Sequence, residues 1–146
     1  MKKFLIAIAL AAGASGVVVG YEPQSAERLA SAPETTPAYG VLVLRKAAVE
    51  SELADLSERL TRQHPSVDSK RYELRALDLE MNKMRAIDKS RVSKLSGTFG
   101  DLILSKVAFA VELNDLLVHL NAQHPDVKKK RLELAALERE IENILQ

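Results

Sequence analysis

Cysteine is absent from this 146-residue chain, and so is tryptophan. Without cysteine, disulfide bonds and thiolate metal ligands are excluded. Aromatic residues make up only 4% of the chain, so a core must be built mainly from aliphatic side chains. An excess of charge is also lacking, because 21 basic residues face 20 acidic ones, for a formal net charge of +1. This balance does not favour nucleic-acid binding, and we predict no nucleic-acid partner.

The chain also lacks the short motifs that mark common active sites. Neither the nucleophile pattern G-x-S-x-G nor the zinc pattern H-E-x-x-H occurs. The pair Gly97 and Gly100 lacks the Lys-Ser/Thr that completes a phosphate loop. We therefore predict a protein that is not an enzyme, with no catalytic residues, cofactors or metal ligands. The alternative, a metal-dependent enzyme or metal carrier, depends only on His64 and His124, and zinc prefers three or four ligands.

The first twenty residues have the layout of a secretory signal. Two lysines precede an apolar run from Phe4 to about Gly20, and small residues allow cleavage after Ala14 or after Gly20. The run is shorter than the ~20 apolar residues expected of a membrane-spanning helix. We predict that residues 1–20 are a signal peptide that is removed, with an uncleaved membrane anchor as the alternative. Either reading predicts export to the periplasm or cell envelope.

An internal repeat with an offset of sixty residues is the strongest signal in the sequence. Nineteen of the forty-three positions in 44–86 carry the same residue in 104–146, where about three or four matches are expected by chance. Apolar residues recur every seven positions on both sides of each His-Pro pair, as in coiled-coil seams. We predict an all-α fold of two tandem antiparallel helical hairpins. They would pack as a pseudo-symmetric four-helix bundle, or each would pair with another chain.

The repeat also divides the chain. The predicted parts are a signal peptide or anchor at 1–20, a flexible linker at 21–38, a first hairpin at 39–86, a helix extension and connecting loop at 87–98, and a second hairpin at 99–146. The linker prediction is based on a Pro-, Ser-, Thr- and Ala-rich composition without periodicity. Helix 101–120 is apolar nearly all round, so we expect it to be the most buried helix or an oligomer interface.

The two His-Pro pairs are explained as turns. The residue before a proline avoids the α conformation, and proline suits the first position of a helix. We therefore predict His64 and His124 at the break of each hairpin, with Pro65 and Pro125 opening its second helix.

Two aromatic-glycine pairs are predicted to start the first helix of each hairpin. With Gly40 as N-cap, Tyr39 would pack on Leu44, which is the spacing of a hydrophobic staple. Gly100 and Phe99 are predicted to act in the same way in the second hairpin.

A cationic run near the second turn is a candidate interaction patch. Its members are Lys128, Lys129, Lys130 and Arg131. Phosphate, anionic lipid or an acidic partner would suit such a patch, and a solvated helix surface is the alternative.

The pattern Leu-x-x-Gln-His-Pro-x-Val, followed by a basic residue and a leucine heptad, occurs at 60–77 and again at 120–137. It resembles the hairpins of polysaccharide co-polymerases, the chain-length determinant proteins of bacterial envelopes. The resemblance covers about a quarter of the chain. The hairpins of that family are usually longer, and tandem doubling is not typical of it. It implies an extracytoplasmic coiled coil assembled on or near the inner membrane.

The residues themselves favour an exported scaffold or protein-interaction module of the cell envelope. Its partners would be other proteins or further copies of the chain, bound through the coiled-coil seams. The resemblance implies, as the alternative, a membrane-tethered regulator of polysaccharide export whose uncleaved N-terminus contacts the membrane.

Overall fold

The computed structural model describes residues 32–146. The four long helices are α1 (Pro37–Arg59), α2 (Pro65–Arg85), α3 (Gly97–His119) and α4 (Pro125–Leu145). A 3-10 helix, η1 (Pro33–Thr35), precedes α1, and a second, η2 (Lys89–Lys94), joins α2 to α3. The described residues contain no strand, and the predicted all-α fold class is confirmed. The predicted signal peptide lies outside the described residues, as does the linker up to residue 31.

Each hairpin turns at its His-Pro pair. His64 and His124 are the N-caps of α2 and α4, and the ring Nδ1 of each accepts a hydrogen bond from the backbone N–H two residues later, at 3.2 and 3.3 Å. Pro65 and Pro125 occupy the first helical positions. A proline there sacrifices no intrahelical hydrogen bond, because that N–H would have no partner within the helix.

The first helix of each hairpin begins four residues earlier than the sequence analysis predicts. The N-caps are Thr36 and Ser96, whose side-chain oxygens accept hydrogen bonds from the backbone N–H groups three residues later, at 3.3 and 3.2 Å. The prediction that Gly40 and Gly100 are the N-caps is wrong. A hydroxyl group satisfies a free backbone N–H, which glycine cannot do, so the upstream Thr and Ser start the helices.

The predicted staple around Tyr39 is wrong as well. Leu44 is 74% exposed, so it does not cover a buried ring. The Tyr39 hydroxyl instead accepts a hydrogen bond from Arg85, whose guanidinium carbon lies 5.4 Å from the ring centroid. Phe99 is buried in the core. Both aromatic rings therefore hold helices of the bundle together rather than closing a helix end.

Residues 33–38 do not belong to a flexible linker, and that part of the linker prediction is wrong. Pro33, Thr36 and Ala38 are buried. Prolines at the first positions of η1 and α1 fix the backbone for helix formation, so a proline-rich run is folded here.

The connection between the hairpins is a 3-10 helix rather than an extension of α2, which ends at Arg85. The prediction of a helix extension in 87–98 is therefore wrong. The Asp88 side chain accepts a hydrogen bond from the backbone N–H of Ser90 at 3.0 Å. Such local side-chain bonding competes with the α-helical pattern. Val92 and Leu95 are buried and fix the connection against the core.

The two hairpins lie side by side with both His-Pro turns at the same end of the bundle, called here the turn end; the opposite end is the base. Ser69 of α2 donates a hydrogen bond to Asp115 of α3 near the turn end, at 3.0 Å. Near the base, the backbone N–H of Ala38 donates to the carbonyl of Leu95 at 3.3 Å.

The bundle is not pseudo-symmetric. Helix α3 packs on α1, α2 and α4, whereas α4 packs mainly on α3, with a smaller contact to η2. The glycines of the repeat show why the copies differ. A Cβ atom on Gly100 would lie 2.9 Å from the backbone of Ala38, whereas one on Gly40 would meet nothing within 4 Å. The first hairpin thus covers two sides of α3, and α4 is left at the edge.

Helix α3 is central, but it is not the most buried helix. The expectation that helix 101–120 is the most buried one is therefore wrong. Its four buried residues all lie between Phe99 and Val107, whereas α2 has six. Nearer the turn end, Leu117 and Val118 of α3 are 41% and 68% exposed. An all-round apolar helix here leaves apolar surface open, because neighbours cover it closely only near the base. No helix among residues 32–146 is both long and apolar enough to span a membrane.

Candidate protein-interaction site

The two histidines of the turns are structural caps in this arrangement, with Nδ1 of each bonded to the backbone. Residues 32–146 contain no group of three or more His, Cys, Asp or Glu side chains that could hold a metal ion.

The cationic run at the second turn is divided by the structure. Lys130 has a side chain only 18% exposed, and it bonds to Glu112 at 2.6 Å and to Glu133 at 2.8 Å. Its ammonium group also lies 4.3 Å from the ring centroid of Phe109. Lys128, Lys129 and Arg131 are exposed. Three cations therefore remain on the surface, and Lys130 joins α4 to α3.

The same ion-pair arrangement occurs in both hairpins. In the first, Lys70 bonds to Glu52 at 2.5 Å and to Glu73 at 3.0 Å. In the second, Lys130 takes the equivalent position. Each lysine connects the two helices of its own hairpin, so these side chains fix the register of α1 on α2 and of α3 on α4.

The repeated ion pairs shift the pKa values of their members. Burial lowers the pKa of Lys70, but its hydrogen bonds to Glu52 and Glu73 outweigh burial and raise it above the usual value of 10.5. The hydrogen bond from Lys70 lowers the pKa of Glu52 below 4.5. In the second hairpin, the hydrogen bond to Glu112 raises the pKa of Lys130, and the bond from Lys130 lowers that of Glu133.

These shifts predict how stability depends on pH. Glu52 and Glu133 have lowered pKa values in the folded state, so their contribution is present above pH 4.5 and is lost as the pH falls through the folded values. Lys70 and Lys130 have raised pKa values, so theirs is present below pH 10.5 and is lost above it. We expect urea unfolding to show a stability that declines on both sides of this window.

A double variant identifies the groups behind the acid decline. With Glu52→Gln and Glu133→Gln, we expect lower stability at neutral pH and a shallower decline below pH 4.5. Glu58→Gln is the control, because Glu58 is exposed and has no ion pair within the described part of the chain. An acid decline that is equally steep in the double variant would contradict the assignment.

A further lysine, Lys106, connects three helices. Lys106 of α3 bonds to Glu80 of α2 at 3.0 Å and to Glu138 of α4 at 3.3 Å. Glu80 is only 6% exposed, and it also accepts a hydrogen bond from Lys83 at 2.8 Å. Burial lowers the pKa of Lys106, but the hydrogen bond and charge of Glu80 raise it net. Lys106 of α3 therefore connects both α2 and α4 to α3.

A groove runs along α3 between α2 and α4, because α4 packs on α3 without closing on α2. Its central part has a volume of about 290 Å³. The apolar lining consists of Tyr72, Ala76 and Leu79 from α2, Val107 and Ala110 from α3, and Leu134 from α4. The groove continues past Ile87 towards the base. A further hollow between α2 and α3, beside Ser69 and Val118, lies nearer the turn end.

The α2 wall of the groove has its own heptad-like spacing. Tyr72, Ala76, Leu79 and Lys83 follow one another at intervals of four, three and four residues, which places them on one face of a helix. The core seam of α2, which includes Leu77, Met81 and Met84, lies on a different face. Leu79 is 54% exposed. Lys83 is similarly exposed at 53%, whereas Ala76 packs partly against the core, so this second face is only partly covered within residues 32–146.

This face is not among the predictions from the sequence. Its residues mix an aromatic ring, a small side chain and a cation, so they do not form a clear apolar stripe. The available signal is Leu79, which falls off the core seam at a position where the second repeat has Arg139.

No protein-family model, curated protein or solved structure matches the chain.

Proposed function

We propose that this protein is an exported, non-enzymatic docking module of the cell envelope, which binds a helix in the groove between α2 and α4. The observation that supports this proposal is the groove itself, which is apolar, has heptad-like spacing on its α2 wall and is bordered by charged residues. Amphipathic helices bind such grooves through residues three and four positions apart.

The dimensions of the groove suit a helix. Its α2 wall extends from Tyr72 to Met84, and thirteen helical residues span about 20 Å. Leu79 and Leu134 would lose solvent contact on docking. Apolar burial contributes roughly 25 cal/mol per Å² of surface removed from water. The docked helix would bury the exposed side of α2, as α1 and α3 bury its other faces.

The bonding of the buried charges supports a non-catalytic role. Glu73 bonds to Arg45 and Lys70, and Glu80 bonds to Lys83 and Lys106. In residues 32–146, no buried side-chain nitrogen or oxygen atom lacks a hydrogen-bond partner. These groups are used in holding helices together, whereas a catalytic acid or base needs access to a substrate.

The proposed location is based on residues 1–20, whose pattern is typical of a secretory signal. The start of α1 lies at the base, and both His-Pro turns lie at the other end. If the N-terminus were retained in a membrane, the turns would therefore point away from it. This polarity, with the His-Pro-x-Val motif at both turns, favours the second candidate, a membrane-tethered regulator resembling the polysaccharide co-polymerases. Cell fractionation with N-terminal sequencing distinguishes a released protein from a tethered one.

Site-specific photo-crosslinking in intact cells tests the docking function. A photoreactive residue at Leu79 is expected to give one discrete crosslinked product, because this side chain projects into the groove. The control is the same residue at Leu132, which is 70% exposed and is the repeat counterpart of Tyr72. No product at position 79, or the same products at both positions, would contradict the proposal.

A further inference from the structure

The two walls of the groove carry opposite charges. Arg75 and Lys83 stand on the α2 side, and Glu138 and Glu142 stand on the α4 side. The α2 wall also contains Glu80, which is buried and bonded to Lys83 and Lys106. Arg75 has no ion pair within the described residues; its guanidinium carbon lies 6.0 Å from the ring centroid of Tyr72. Glu142 is exposed and has no ion pair there either. Charges for a partner are thus available on both sides.

A groove with one basic wall and one acidic wall is complementary to itself. If two copies face each other across a two-fold axis parallel to the helices, α2 of each copy lies in the groove of the other. The basic side of one copy then meets the acidic side of its partner, twice in the same interface. A single helix of unrelated sequence would have to supply both signs of charge along its length.

The vertical register of the charges agrees with this arrangement. Glu80 of α2 and Glu138 of α4 both bond to Lys106, so they lie at the same level of the bundle. Lys83, three residues beyond Glu80, is therefore level with the segment just before Glu142. A two-fold axis parallel to the bundle preserves these levels, so Lys83 of one copy would reach Glu142 of the other.

We propose that the occupant of the groove is α2 of a second copy, so that the chain forms a parallel two-fold dimer. The proposal rests on the docking function of the groove. Helix α2 has 21 residues, so it is long enough to occupy the whole groove. Tyr72 and Leu79 of both copies form the apolar centre of the interface. Both pairs of turns lie at one end of the dimer, and both copies begin at the other.

The first test is the mass of the full chain after export, measured by sedimentation equilibrium. We expect a reversible dimer, and we expect Leu79→Glu to raise the dissociation constant at least about 100-fold, because it places a charge in the apolar centre of the interface. Leu132→Glu, at an exposed leucine outside the groove, is expected to leave the dimer unchanged. Thermal unfolding of each variant shows whether the fold is retained.

Charge reversal gives a test that does not depend on Leu79. Glu142→Lys and the double change Glu80→Gln with Lys83→Glu are each expected to weaken their own dimer about tenfold, because like charges face each other across the interface. Glu80→Gln is included because Lys83 bonds to the buried Glu80 carboxylate, and a second carboxylate beside it would destabilise the fold. A mixture of the two variants restores both pairs of opposite charge in the mixed dimer only. When the two variants are mixed in equal amounts, random pairing would make half of all dimers mixed. Native mass spectrometry is expected to show a larger fraction of mixed dimer than this.

The outcomes separate this inference from the docking function. A chain that remains monomeric at about 100 μM, or a dimer that Leu79→Glu leaves intact, overturns the two-fold arrangement. So does a mixture with no excess of the mixed dimer. If a different protein crosslinks at position 79, the docking function stands and the second copy is not the occupant. If the chain is monomeric and nothing crosslinks there, both proposals fail.

Discussion

Replacing Lys106 by methionine is expected to lower the free energy of unfolding by about 3 kcal/mol. Glu80 is 6% exposed, and the side chain of Lys106 is 14% exposed. Methionine fills much of the volume of the lysine stem without its charge. The loss therefore comes from a buried carboxylate that keeps only one partner, Lys83, which is itself 53% exposed.

The repeat supplies a matched control for this substitution. Lys46 occupies the equivalent position of the first hairpin and bonds to Asp78 at 2.6 Å and to Glu50 at 3.8 Å. Both carboxylates are more than half exposed, at 52% and 55%. Water can therefore replace the lysine, and Lys46→Met is expected to cost at most about 1 kcal/mol. Urea unfolding at pH 7 gives both values under the same conditions.

A double variant tests the stated cause. If the loss comes from stranding the carboxylate, Lys106→Met combined with Glu80→Gln is expected to recover part of the stability, because a neutral amide is less costly to bury than an unpaired charge. Equal losses for Lys106→Met and Lys46→Met would contradict the buried position of Glu80. A double variant less stable than Lys106→Met would show that packing of the lysine stem dominates.

The local parts of the fold follow from the sequence because they depend on neighbouring residues. The all-α class comes from the heptad spacing. Lys70, Lys106 and Lys130 pair with Glu73, Glu80 and Glu133. Two of these three pairs join residues three positions apart on one helix, which is a short-range rule. Helix starts are less certain from sequence when a glycine and a hydroxyl residue lie four positions apart, as Thr36 and Gly40 do.

The candidate site could not be predicted because it arises from how the hairpins pack. The groove exists because α4 leaves one side of α2 uncovered. The residue spacing within α2 or within α4 does not predict how the two helices are placed relative to each other. Lys106 and Lys46 are the same residue in the same repeat position, but only Lys106 reaches a glutamate of the other hairpin. Differences between copies of a repeat are set by tertiary contacts, which the repeat pattern does not contain.

Gly100→Ala is expected to destabilise the protein by about 2 kcal/mol, since overpacking a closely packed contact typically costs about 1–3 kcal/mol. The added Cβ atom would lie 2.9 Å from both Cα and the carbonyl oxygen of Ala38, and 3.2 Å from Cβ of Val41. The nearest atoms belong to backbone, so a side-chain rotation cannot relieve the contact. Helices α1 and α3 would have to move apart at the base, where Ala38, Phe99 and Ile103 are buried.

Gly40→Ala is the matched control, and the expected effect has the opposite sign. Gly40 is the repeat counterpart of Gly100 and also lies within a helix, but a Cβ atom there would meet nothing within 4 Å. Alanine favours the helix by roughly 0.5–1 kcal/mol over glycine, so the variant is expected to be more stable than the parent chain. Thermal unfolding of both variants decides the point. If both alanines stabilise, α1 does not cross α3 at Ala38, and the asymmetric packing that opens the groove would have to be abandoned.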